Sequence, residues 1–186
     1  MKTRAIVYDA TENRFVGWTW AIGARLFKLF GLATYIFGAT SWPEAAGWLE
    51  RLPKVDEVHF WGHGRPGAAL INHVNIIGEE HNAVVLRALK RVLKVPGLFW
   101  LRTCSSFHGR SGKAFAALLA STTERVCAGS TYIIGFPWHS GIHAIGPGQN
   151  NRWPAEEGAG PYGLLKSHYS APNTRFCLRS TFPRDW

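Results

Sequence analysis

The chain has 186 residues, 46% of them hydrophobic with nine Trp and eleven Phe, and a formal charge of +9 from 21 Lys and Arg against 12 Asp and Glu. That length and apolar content provide for one well-buried core and not for two. Three cysteines, sparse and odd in number, exclude a disulfide-stapled scaffold and fit a reducing compartment, so the expectation is a cytoplasmic protein.

The first predicted element is a buried strand over residues 4–8, Arg-Ala-Ile-Val-Tyr, followed by a polar loop over 9–14. The opening Met1-Lys2-Thr3-Arg4 leads into a run broken at Asp9, unlike a secretory signal. Residues 15–42 form the most apolar stretch, but Arg25 and Lys28 interrupt it and Gly17, Gly23, Gly31 and Gly38 dilute it. A membrane span needs about 20 nearly uncharged residues, so an amphipathic or core-packed helix is expected there. The spacing of Ile22, Leu26, Leu29 and Phe30 predicts that helix over 21–30, with a second strand over 33–37. Ser41, Pro43 and Glu44 form a capping-box pattern for a helix ending near Leu52, just before Pro53.

Residues 58–61, Val-His-Phe-Trp, predict a third strand, and 66–77 a small excursion containing a hairpin. Val84, Val85, Leu89, Val92 and Leu93 define one face of a helix over 82–93. After Pro96-Gly97 comes a fourth strand over 98–101, then a helix over 111–121 with Phe115, Leu118 and Leu119 apolar. Short strands are predicted over 125–127 and 132–136. The β-α-β alternation predicts an α/β three-layer sandwich, its mainly parallel sheet covered on both faces. Glycines and prolines make residues 137–169 a long irregular arm, and a C-terminal tail over 170–186 has an edge strand over 175–182. The whole chain, 1–186, reads as a single domain.

Two of the predicted strands end in reactive side chains: the third runs into Gly62-His63-Gly64, the fourth into Arg102-Thr103-Cys104-Ser105-Ser106. In open α/β sheets chemistry gathers beyond the carboxyl ends of the strands. Neighbouring strands would thus bring an imidazole and a thiol together, and an imidazole or a helix N-terminus promotes the thiolate nucleophile. Glycines flanking His63 contribute no packing and suggest a close backbone approach. The N–H groups of Gly64 and Cys104 are therefore expected to form an oxyanion hole. Cys127 and Cys177 lie in strand-like segments and read as inert core thiols.

A hydrophobic strand ending in His-Gly, followed by a second ending in Cys, resembles the caspase-like cysteine peptidases, the clan of caspases, metacaspases, legumains and gingipains. Residues 98–135, with the helical run Gly112-Lys113-Ala114-Phe115-Ala116-Ala117-Leu118-Leu119, also look like a caspase-fold domain of large bacterial surface proteins. The similarity covers roughly residues 4–136. It implies an approximately six-stranded sheet, His63 as general base, Cys104 as nucleophile, and Gly64 and Cys104 as oxyanion donors. It also puts Arg102, two residues before the nucleophile, in the primary specificity pocket, favouring an acidic side chain with Arg14 as helper. Asp9, at the end of the first strand, argues the other way. The Gln-Ala-Cys-x-Gly signature of caspases and the Asp-rich segments of metacaspases are absent. Ser105 and Trp138 complete the expected substrate contacts.

The expected function is a cysteine endopeptidase acting on a protein or peptide, without a cofactor. The alternatives are a non-catalytic module of the same fold, binding a protein or nucleic acid through its basic surface, and a cysteine hydrolase or acyltransferase acting on small amides. The charge suits nucleic acid, an anionic membrane or an acidic protein, but no basic run exceeds two residues and no nucleic-acid motif occurs. No metal site is expected: the pairs His59/His63, His139/His143 and Cys104/His108 have helical ligand spacing but fall in strand or loop segments. Phosphate-binding glycine motifs and the Gly-x-Ser-x-Gly elbow are also missing. The oligomeric state is left open.

Overall fold

The computed structural model describes residues 2–12, 15–78, 83–135 and 138–177. Its elements run β1 (Arg4–Asp9), α1 (Phe15–Leu29), β2 (Tyr35–Ala39), α2 (Trp42–Glu50), β3 (Val55–Trp61), β4 (His63–Arg65), β5 (Ala68–Ile71), β6 (Val74–Asn75), α3 (Ala83–Val92), β7 (Leu93–Arg102), α4 (Gly109–Thr123), β8 (Val126–Ser130), β9 (Trp138–His139), β10 (Ile142–Ile145) and β11 (Arg175–Phe176). A six-stranded sheet is ordered β10-β8-β7-β3-β1-β2, parallel throughout except for antiparallel β10. The result is α/β with a mostly parallel sheet between two covering layers.

Strand alternation divides the core. Ala5, Val7, Val58, Phe60, Phe99 and Leu101 face α2, α3 and α4, where Ala45, Leu49, Leu89, Val92, Phe115 and Leu119 complete the larger cluster. Ile6 and Trp61 point the other way, onto Ala24 and Phe27 of α1. Further along that second face, Leu98, Trp100 and Ala128 pack with Ile142 and Cys177. Three helices thus cover one face, and α1 with the C-terminal segment covers the other.

The second face also carries a buried polar string. Arg4 and Lys2 pair with Glu57 at 2.8 and 2.9 Å, and His59 Nε2 lies 3.1 Å from the same carboxylate. Burial alone would raise the Glu57 carboxyl, but His59, Arg4 and Lys2 outweigh it and bring it down to about 2. Burial pulls His59 down to about 4, so it is neutral and donates to an ionised Glu57.

Several boundaries differ from the sequence reading. The α1 helix begins at Phe15 rather than 21, because apolar residues on both of its sides blur the helical period. Ser41 caps α2 as expected, accepting from the Glu44 N–H. The Glu44 carboxylate, however, reaches Thr40 N rather than closing a box on Ser41. Pro96-Gly97 does not separate β7 from what precedes it; the strand starts at Leu93 and loops out where the register with β3 shifts. The excursion over 66–77 belongs to a three-stranded antiparallel unit, β4-β5-β6.

Residues 132–135 are not a sheet strand, contrary to expectation; Phe136 lies outside the described residues, as does Asn82 at the predicted start of α3. The sixth strand is Ile142–Ile145, inside the segment read as an irregular arm. Its buried Ile142 and Ile145 between Gly141 and Gly146 are the signal that the glycine content concealed. Of the predicted edge strand, Arg175–Phe176 pairs with Trp138–His139, and 178–182 lies outside the described residues.

Candidate active site

Adjacent parallel strands β3 and β7 pair Trp61 with Arg102 at their carboxyl ends. His63 and Cys104 each follow two residues beyond that pair, so equal chain lengths carry the imidazole and the thiol off the same sheet edge. Both line a cavity of about 440 Å³ with Thr19, Trp20, Trp61, Gly62, Arg102, Ile134, Gly135 and His139.

Gly64 brings the two strand ends together. A Cβ at this position would lie 2.6 Å from the Cys104 carbonyl oxygen and 2.7 Å from the Thr103 side chain. Only a residue without a side chain lets β4 lie directly against the loop that carries Cys104. Gly62 is similarly constrained, with Phe60 Cζ 2.5 Å from the same hypothetical atom.

His63 is held by two neighbours. Its Nε2 lies 3.3 Å from Glu12 Oε2, and the Trp20 ring meets the imidazole edge-on at 4.9 Å. Glu12 carried no prediction; only its place after the first strand could have pointed to it. The Cys104 thiol donates to the Ile134 carbonyl at 3.5 Å. It is half-buried and reached from the cavity; burial pushes its pKa up, so the resting group is the neutral thiol.

The loop after β7 is braced rather than open. Ser105 N–H donates to Tyr132 O at 2.9 Å, and Phe107 N–H to Ser130 O at 3.0 Å. With Ile133, whose N–H donates to Lys166 O and whose carbonyl accepts from His168 N–H, these bonds hold the segment after Ser130 outside the sheet. Ser105 itself has φ 49°, a left-handed conformation that costs a non-glycine residue about 1–3 kcal/mol. Its side chain is buried and is not among the cavity-lining residues.

Arg102 forms part of the cavity wall although it is almost fully buried. Its guanidinium carbon lies 4.9 Å from the Trp61 ring centre, 5.0 Å from Trp100 and 5.4 Å from Phe27. Nη2 donates to Cys177 O at 2.6 Å, and Nε to His139 Nε2 at 3.3 Å. Nη1 is buried and has no hydrogen-bond partner, and no carboxylate pairs with Arg102 among the described residues. Burial lowers its pKa to about 10, leaving it charged at neutral pH. Burial and the Arg102 charge push His139 well below the usual imidazole range, so it accepts from the guanidinium.

The other predicted contacts fall elsewhere. Trp138 is exposed and packs on Phe176 at 4.9 Å in the β9–β11 ribbon, outside the cavity lining, whereas its neighbour His139 is inside. The ribbon register therefore presents the residue next to the expected one. Arg14 lies outside the described residues. Cys127 is buried, which pushes its thiol up to about 12. Among the described residues no cluster of three His, Cys, Asp or Glu side chains could hold a metal ion; His143 instead pairs with Glu157 at 2.8 Å. No helix of the described residues is long and apolar enough to cross a membrane.

The fold and site define an α/β protein with a thiol and an imidazole at adjacent parallel strand ends. No protein-family model, curated protein or solved structure gives a significant match to this chain.

Proposed function

We propose that the chain is a caspase-like cysteine endopeptidase. The observation that carries this reading is the shared cavity at the ends of β3 and β7, in which His63 and Cys104 face one space above a buried guanidinium that has no carboxylate partner among the described residues. The six-stranded sheet agrees with the strand number the resemblance implies.

In the proposed reaction the Cys104 thiol gives its proton to His63, and the sulfur attacks the scissile carbonyl carbon. Gly64 and Cys104 N–H groups receive the developing oxyanion. Collapse of the tetrahedral species breaks the C–N bond, and the amine leaves with the proton held by His63. Water, deprotonated by His63, then cleaves the thioester and restores the thiol. Glu12, on His63 Nε2, fixes the ring and stabilises the imidazolium that forms at each transfer. The neutral resting thiol suits a site in which deprotonation accompanies substrate binding.

Arg102 gives the site a chemical preference. A buried cation with an N–H that has no partner among the described residues favours an anionic group, so cleavage after Asp or Glu is the proposed specificity. A second reading, a non-catalytic module of this fold, is favoured by the burial that raises the Cys104 thiol.

Labelling with peptidyl fluoromethyl ketones that vary at the residue before the reactive carbon separates the two. The peptidase predicts modification at Cys104, lost in Cys104→Ala, slowed at least about 100-fold in His63→Ala, and fastest with an acidic residue. A thiol that reacts no faster than free cysteine, with no peptide cleaved, would establish the binding module.

A further inference from the structure

Helix α1 is apolar on both sides. Ala24 and Phe27 pack against Ile6 and Trp61 of the sheet. On the opposite side Trp18, Ile22, Leu26 and Leu29 recur at helical spacing, continued by Phe30 just beyond the helix end. Trp18, Leu29 and Phe30 are 67%, 76% and 69% exposed. Single exposed apolar residues are ordinary on a protein surface, but a continuous stripe of five large ones along one helix is not.

The charges on the helix itself are of one sign. Arg25 projects along it between Ile22 and Leu29, Lys28 flanks it, and both are exposed. No Asp or Glu occurs between Phe15 and Leu29. Glu12, in the groove next to Trp18 and Ile22, already has its carboxylate on His63. Leu26, Leu29 and Phe30 lie outside that groove, so most of the stripe, about 20 Å long, is an open helix face rather than a cleft for a peptide.

We propose that α1 docks this protein onto an anionic lipid surface. The helix lies in the interface plane, Trp18, Ile22, Leu26, Leu29 and Phe30 enter the acyl boundary, and Arg25 and Lys28 meet lipid phosphates. Charge decides among the possible occupants. A second copy would bring another +9 chain, its Arg25 and Lys28 included, against the same ridge. An anionic bilayer satisfies both the apolar crest and its cationic flanks, and Trp is suited to the boundary between the two phases. Thr19 and Trp20 of the same helix line the cavity at the strand ends, so the docked helix is also part of the cavity wall. The inference does not depend on the chemistry at Cys104.

The test is flotation of the full chain with vesicles of phosphatidylcholine alone and of phosphatidylcholine mixed with phosphatidylglycerol, at low and high salt, with sedimentation analysis of the protein alone. Binding is expected only to the mixed vesicles and to weaken with salt. Leu29→Ser with Phe30→Ser should reduce it at least about tenfold, and Arg25→Gln with Lys28→Gln about thirtyfold. These positions are exposed, so unchanged circular dichroism and melting temperature should accompany both losses. Equal binding to both vesicle types, or binding untouched by the α1 variants, overturns the proposal. So does a dimer that Leu29→Ser with Phe30→Ser dissociates in the absence of vesicle binding, which assigns the ridge to self-association. A monomer that binds no vesicles overturns it as well.

Discussion

Replacing Gly64 by Ala tests whether the contact between β4 and the Cys104 loop builds the site. The added methyl would stand 2.6 Å from the Cys104 carbonyl oxygen and 2.7 Å from Thr103 Cβ and Oγ1. Relaxed contacts lie near about 3.5 Å, so one backbone segment must move by ~1 Å. The carbonyl belongs to the main chain of Cys104, and the loop is braced by Ser105 N–H on Tyr132 O, so neither side yields freely. Overpacking of this kind costs about 1–3 kcal/mol, or roughly 2–12 °C in melting temperature for a chain of this size. A 1 Å displacement of a reacting group costs about 100-fold in rate. The informative comparison is with Gly47→Ala in α2, where the added Cβ meets nothing within 4 Å and better helix propensity should stabilise by about 0.5–1 kcal/mol. The assays are thermal melting and the rate of Cys104 alkylation by a peptidyl electrophile. Gly64→Ala should melt lower and label about 100-fold more slowly, while Gly47→Ala melts slightly higher and labels normally. A Gly64→Ala protein with wild-type labelling would refute the argument that this contact positions the thiol.

Three further outcomes follow from the same geometry. Glu12→Gln keeps the shape but not the charge next to His63; labelling of Cys104 should slow by about tenfold, part of what a well-placed base supplies, and unchanged labelling would remove Glu12 from the mechanism. Arg102→Met should abolish any preference for acidic peptides, lowering kcat/KM for them by about 10- to 100-fold relative to their amide counterparts; a preference that persists would exclude Arg102 as its source. Stability should fall in acid, with the sign set by two depressed groups. His59 near 4 stays neutral in the folded protein while its unfolded counterpart protonates from about 6.5 downward. Glu57 near 2 adds its loss below about 4.5. Each contributes roughly 3 kcal/mol over its window. Urea unfolding from pH 7 to pH 4 should therefore show a steady loss that His59→Gln reduces; a flat profile would refute the buried neutral assignment.

The sequence by itself determined the chain of alternating strands and helices and the two strand ends that carry His63 and Cys104. Short apolar runs leading into Gly62-His63-Gly64 and Thr103-Cys104 are local signals, because a buried parallel strand must be apolar and must stop where the chain leaves the sheet. The Ser41 cap and the amphipathic α3 were legible for the same reason: each is specified by residues within a turn or two of one another. Tertiary structure decided what depends on contacts distant in sequence. Glu12 reaches His63 only because β1 and β3 are neighbours. The sixth strand became Ile142–Ile145 because residues 132–135 are tied instead to the Cys104 loop and to the Lys166–His168 segment. His139 rather than Trp138 entered the cavity because the β9–β11 pairing sets which side chain points inward. Arg102 acquired its character from Phe27, Trp61, Trp100 and His139, which packing brings together from four separate segments. Period and propensity act over a few residues, whereas register, burial and the charge environment of a side chain are properties of the assembled sheet.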